Sequence, residues 1–163
     1  MNFSSIKEYF YKMYSYCFLI MLIPIGLLGL VHIQAASGKV HPIFVDAQNE
    51  IVLTVLSITT LLILTIVHLH GKARLKKIIK VGGLGNKMDH YFYLTITRVG
   101  VAAIACFIII AGYVLTLNEW IDLLFFLTLA WIGFQLPNSR KACKELNLRG
   151  DEYEMIYFKK DRF

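Results

Sequence analysis

Histidine, cysteine and clustered lysine are the side chains of this sequence best able to do chemistry, and their spacing decides which chemistry is open to them. Residues 68–90 read HLHGKARLKKIIKVGGLGNKMDH and carry His68, His70 and His90 among six Lys or Arg side chains. Four readings fit such residue types: a phosphate cradle, a metal site, a nucleic-acid patch, or the cationic rim of a membrane protein. The phosphate cradle fails on spacing. Gly82-Gly83-Leu84-Gly85-Asn86-Lys87-Met88 lacks the GxxxxGK[ST] order, and no strand-like run precedes it. A nucleic-acid patch interleaves aromatics with its cations, and none lies between Lys72 and His90. No nucleic-acid partner is expected.

The elements that must position these residues are four apolar runs, at about 14–33, 51–70, 91–115 and 119–136. Arg98 alone interrupts the third, and from Trp120 onward Asp122 alone interrupts the fourth. The chain is 57% hydrophobic with 17% charged residues and a mean hydropathy of +0.59. Soluble domains carry about 25% charge. An α-helix rises 1.5 Å per residue, so about 20 apolar residues cross a hydrocarbon core of roughly 30 Å. The expected fold is an all-α membrane protein. It has a four-transmembrane-helix bundle over residues 1–136 and a cytoplasmic C-terminal tail over 137–163. The first run exceeds a signal-peptide core in length, so a retained helix is expected there.

Sixteen of the seventeen Lys and Arg fall on one side of these runs. Lys39 alone falls on the other, beside Asp46, Glu50, Glu119 and Asp122. The positive-inside rule then puts both termini in the cytoplasm, and the expected location is the bacterial inner (plasma) membrane. The second helix is expected to run on to about Lys80. Lys72, Arg74, Lys76, Lys77 and Lys80 would anchor anionic lipid headgroups, while Leu75, Ile78 and Ile79 lie on the bilayer surface. Gly82 and Gly83 end it. Residues 3–16 carry a Ser5-x-x-Glu8 capping box and several aromatics, which predict a short interfacial helix. Asn118 is the expected N-cap of the fourth helix, Arg98 is expected to snorkel, and Lys141–Arg149 to form a short helix stopped by Gly150.

With this topology the histidines separate. His32 and His41 lie at the outer side, and His68, His70 and His90 at the inner side, too far apart to share one metal. His68 and His70 are two residues apart and leave a helix in different directions. No metal, haem or other cofactor is expected. The size and helix plan are shared with the disulfide-generating quinone reductases of bacteria, but that family needs paired outer cysteines. Cys17, Cys106 and Cys143 supply no such pair, and the likeness stops at topology.

Helices in lipid associate through close packing and hydrogen bonds, so small and hydroxyl side chains mark meeting faces. Thr54, Ser57, Thr65 and His68 fall within about 80° on the second helix at 100° per residue. The third helix carries Gly100, Ala103 and Ala111 on one face and Ala102, Ala105 and Cys106 on another. These rows are expected to pack helices or to line a polar path. No charge sits near the bilayer midplane, where a coupled transporter would keep one. The first functional expectation is a non-catalytic accessory or assembly subunit of a larger membrane complex, meeting other membrane subunits or copies of itself. The second is a homo-oligomeric channel or small-solute transporter using the Thr/Ser stripe. The third is a haem- or metal-binding membrane enzyme subunit, set last because no nucleophile, carboxylate pair or facing histidine pair is visible.

Overall fold

Ser5 opens the first helix by accepting the Glu8 amide at 3.1 Å on its side-chain oxygen, the capping bond expected there. In the computed structural model, which describes residues 5–44 and 47–158, six helices follow one another and no strand occurs among the described residues. They are α1 (Ile6–Ala36), α2 (Ala47–Ile78), α3 (Leu84–Thr116), α4 (Glu119–Gln135), α5 (Ser139–Glu145) and α6 (Asp151–Tyr157). Asp46, Phe3 at the start of the segment 3–16, and Lys159, Lys160 and Arg162 among the sixteen cations lie outside the described residues.

The first three helices have 31, 32 and 33 residues. At 1.5 Å per residue each is about 46–50 Å long, well over a hydrocarbon core of roughly 30 Å. Helix α4, with 17 residues, reaches spanning length only together with α5, from which it bends by 74°. Three helices, or four if that bent pair is one span, are therefore long and apolar enough to cross a membrane. The N-terminal aromatic segment is not a separate helix. Nothing between Ile6 and Ile23 breaks the backbone ladder, so α1 runs unbroken from Ile6 through Pro24 to Ala36.

Turn chemistry sets the connections. Gly83 precedes α3 at φ +81°, a left-handed conformation that glycine adopts without penalty. At the opposite end Leu117 takes φ +50° and closes α3 by donating to Tyr113 O at 2.7 Å. The Ile43 and Phe44 amides donate to Leu115 O at 2.9 and 3.1 Å, which satisfies a carbonyl the helix end leaves open. Asn118 then accepts the Trp120 amide at 3.0 Å and starts α4 as expected. The helix expected over 141–149 is shorter. It ends at Glu145, before Asn147 at φ +51°, and Gly150 at φ +58° precedes α6 instead.

Helix α3 is the central post, with α1, α2 and α4 around it. Of its most apolar stretch 56% is buried, against 17% for each of α1 and α2. Tyr9 meets Met88 at one end and His32 meets Tyr113 at the other, so α1 runs parallel to α3. Leu56 against Gly112 and Gly71 against Arg98 set α2 antiparallel to it.

Two apolar cores result. One fills the spanning region with Leu28, Leu56, Ala102, Cys106, Ile109, Phe125 and Ile132 among others. The second lies at the end where the lysines gather. There Ile6, Tyr9, Phe10 and Met13 of α1 meet Leu75, Ile78, Met88 and Phe92, and the tail adds Ala142, Cys143, Leu146, Leu148 and Ile156. Leu75 and Ile78 thus enter a protein core and do not face the bilayer surface. They sit on the row that α2 already turns towards α3 through Leu56, Thr60 and Val67.

Candidate functional site at the basic end of the bundle

The small and hydroxyl rows nominated by the sequence do not meet one another. Thr54, Thr65 and His68 are exposed on the outward side of α2, and Ser57 is half-buried. The buried row of α2, through Leu56, Thr60, Val67 and Gly71, lies about 100° around the helix from their centre. Thr54 donates to Glu50 O and Ser57 to Leu53 O, each at 2.8 Å, so both hydroxyls are satisfied within their own helix. On α3 the packed small face is Ala102, Ala105 and Cys106, each fully buried. Ala103 is buried at its margin, Gly100 is half-buried and Ala111 is exposed. Gly112 makes the close approach, since a methyl group there would collide with the Leu56 side chain. The physical reason is shared: a small residue permits close packing without requiring it, and the larger side chains settled which face turned inward.

At the basic end the polar groups do converge. Arg98 does not snorkel to water. Its side chain is 10% exposed and pairs with Glu145 of α5 at 3.6 Å. Tyr91 donates to the other Glu145 oxygen at 2.9 Å. Gly71 makes room for this arrangement. A methyl group there would lie 2.6 Å from the guanidinium carbon. Arg98 Nε is buried without an acceptor. Lys141 donates to Phe134 O at 2.8 Å near the end of α4, where the helix dipole is negative. Burial lowers the Lys141 pKa, and Glu145 partly restores it. Tyr9 donates to Met88 O at 2.7 Å, and burial pushes its phenol far above the usual range. Lys87 and Glu152 tie the start of α3 to α6 at 3.1 Å. A tail glutamate beside an arginine just inside an apolar run was the signal available in the sequence, because an ionisable group there needs a partner.

Beside this network, α2 and α3 enclose a groove of about 330 Å³. His70, Arg74 and Lys77 line one wall, His90, Tyr93 and Thr97 the other, and Ile78, Val81 and Leu94 the remainder. Arg74 Nε donates to His70 Nε2 at 3.0 Å. Of the five cations nominated as headgroup anchors, Arg74 and Lys77 line the groove, whereas Lys72, Lys76 and Lys80 are exposed outside it.

At the opposite end His32 and Asp122 form a polar pair. His32 Nε2 and Asp122 Oδ2 are 3.0 Å apart, and the imidazole stacks on Tyr113 with ring centroids at 4.7 Å. His68, His70 and His90 stand at the basic end, and among the described residues no three His, Cys, Asp or Glu side chains form a metal-sized cluster. Cys17, Cys106 and Cys143 are separate buried thiols. These groups can bind an anion and hold helices in register. The chain matches no family model, and no curated protein or solved structure matches it significantly.

Proposed function

We propose that this chain is a non-catalytic accessory or assembly subunit of a larger membrane complex, with both termini on the cytoplasmic side of a bacterial inner membrane. The observation that carries the reading is the uneven burial of its long helices. Helices α1 and α2 keep most of their apolar surface uncovered, while α3 is clasped on three sides. Two membrane helices are thereby free to lie against other subunits, where packing and hydrogen bonds supply the association energy. The basic residues of the α1 start, the α2 end, α3 and α5 share one end, and Lys39, Glu50, Glu119 and Asp122 lie towards the other, which supports the orientation. The test is purification in mild detergent from the native host, with the mass of the intact particle measured. A particle containing other membrane proteins in fixed ratio is expected. A lone chain, or copies of this chain only, would overturn the assignment.

A second reading, a homo-oligomeric conduit, draws on the outward position of Thr54, Thr65 and His68. A ring of copies with α2 inward would line its axis with these groups. It requires a flux in proteoliposomes and a ring-sized particle, neither of which an accessory subunit gives.

A further inference from the structure

We propose that the groove between α2 and α3 is a binding site for the phosphate headgroup of an anionic phospholipid. The reading rests on the chain spanning a membrane, but not on its accessory role or its orientation. Three observations meet here. First, the walls are built of helical rows that face each other. His70, Arg74 and Lys77 recur at one-turn spacing on α2, as do His90, Tyr93 and Thr97 on α3. Second, the lining presents Arg74 and Lys77, two histidines and a phenol, and no carboxylate, while the Thr97 hydroxyl is already spent on Tyr93 O at 2.8 Å. Arg74 is held by its bond to His70 through Nε, which leaves the terminal guanidinium nitrogens for an anion. A phosphodiester is the ligand such donors fit, and basic pockets between spanning helices are where lipid headgroups bind.

Third, the groove continues into an apolar seam. The α2 row passes to Ile66 and Ile63, and the α3 row to Val101 and Ile104. Gly71 against Arg98 and Leu56 against Gly112 fix the antiparallel register, so these residues stand at similar depth. Ile66 is 63% exposed and Ile104 is 55% exposed. Acyl chains can lie along that seam below the headgroup. A free phosphate uses only the polar half of the site, and the seam selects the lipid.

Full-length protein in phosphatidylcholine nanodiscs containing a minority of phosphatidylglycerol provides the test. The phosphatidylglycerol retained on extraction would be counted by native mass spectrometry. The double change Arg74→Gln/Lys77→Gln should lower retention about tenfold or more, since each removes a charged donor that lines the groove and meets the phosphate directly. Lys72→Gln/Lys76→Gln removes the same charge outside the groove and should change retention less than twofold. His90→Gln, on the other wall, keeps both cations and should lower retention a few-fold. All these positions are exposed, and circular dichroism should show the helices intact. Equal loss in the two doubles would mean diffuse surface charge, and no loss in the groove double would mean no site. Either overturns the proposal. Displacement of the lipid by millimolar inorganic phosphate would overturn the assignment to a lipid. Failure of the chain to enter nanodiscs would overturn the membrane reading itself.

Discussion

Removing the Arg98 guanidinium by Arg98→Ala should release the tail from the bundle. The side chains of Arg98 and Glu145 are 10% and 21% exposed, and they face each other at 3.6 Å. Breaking a buried ion pair from one side costs about 3–5 kcal/mol, because the surviving charge is left without a partner. Two features reduce that figure here. Glu145 keeps the Tyr91 hydrogen bond at 2.9 Å, and its exposed fifth can take water. A cost of about 2 kcal/mol is expected, which raises the population of an undocked α5–α6 about 30-fold.

Cys143 reports that opening. Its side chain is buried in the core at the basic end, with Sγ 3.9 Å from Tyr153 O. Burial raises its thiol pKa, so docking both shields the sulfur and lowers its thiolate fraction. Undocking removes both protections, and alkylation at pH 7–8 should then quicken. The assay is maleimide labelling of the full-length protein in detergent, with the labelled peptide identified by mass spectrometry. Arg98→Ala should label Cys143 about 30-fold faster than the parent. The double change Arg98→Ala/Glu145→Ala should be no faster than the slower single variant allows, since no unpaired charge remains. Lys87→Gln breaks a more exposed pair, with Glu152 37% exposed, and should speed labelling under about fivefold. If Arg98→Ala labels within twofold of the parent, the pair does not hold the tail.

Four further outcomes follow from the packing. Gly112→Ala should lower the thermal midpoint in detergent by the equivalent of about 1–3 kcal/mol, because its methyl group collides with Leu56. Gly100→Ala, with nothing within 4 Å of the added carbon, should leave the midpoint unchanged or slightly raised. Tyr9→Phe should cost about 1 kcal/mol in the same measurement, because it leaves the buried Met88 carbonyl without its 2.7 Å donor. Changing Thr54, Ser57 and Thr65 together to Val should cost less than the roughly 0.6 kcal/mol per site typical of hydroxyls that bond between helices. Thr54 and Ser57 bond only to their own helix, so a loss of several kcal/mol would show that α2 meets another chain there.

Helix positions were legible because length and apolarity act locally. The run 51–70 and its basic continuation needed only a rise per residue and a solvent change to become α2. The caps at Ser5 and Asn118 were legible for the same reason, since each depends on the next three residues. The facing of each helix was not. In lipid, polar and apolar sides are not sorted by water, so hydroxyls on α2 can turn outward and close on their own backbone. The Thr54–His68 stripe therefore marked a face without saying what lay opposite. The groove escaped notice for a related reason. His70, Arg74 and Lys77 already form a row on the helix expected to about Lys80, but the row becomes a wall only once α3 brings His90 and Thr97 beside it.

The concentration of polar chemistry at one end follows from helix overshoot. Relative to the apolar runs, α1, α2 and α3 each continue for seven or eight residues at the basic end and for no more than four at the other. That is about 11 Å of helix beyond the apolar runs, where lipid would no longer cover apolar side chains. Ile6, Phe10, Leu75, Ile78 and Met88 would face water there without a cover, and the tail supplies one through Leu146, Leu148 and Ile156. The cover needs a fixed position, since two seven-residue helices cannot hold themselves. Arg98 with Glu145, and Lys87 with Glu152, give it two attachment points on α3. Gly71 is the backbone concession that lets Arg98 reach across, at a cost to α2 of about 1 kcal/mol in helix propensity. The tail is thus a structural part of the basic end, and any partner approaching that side meets a folded surface whose orientation Arg98 sets.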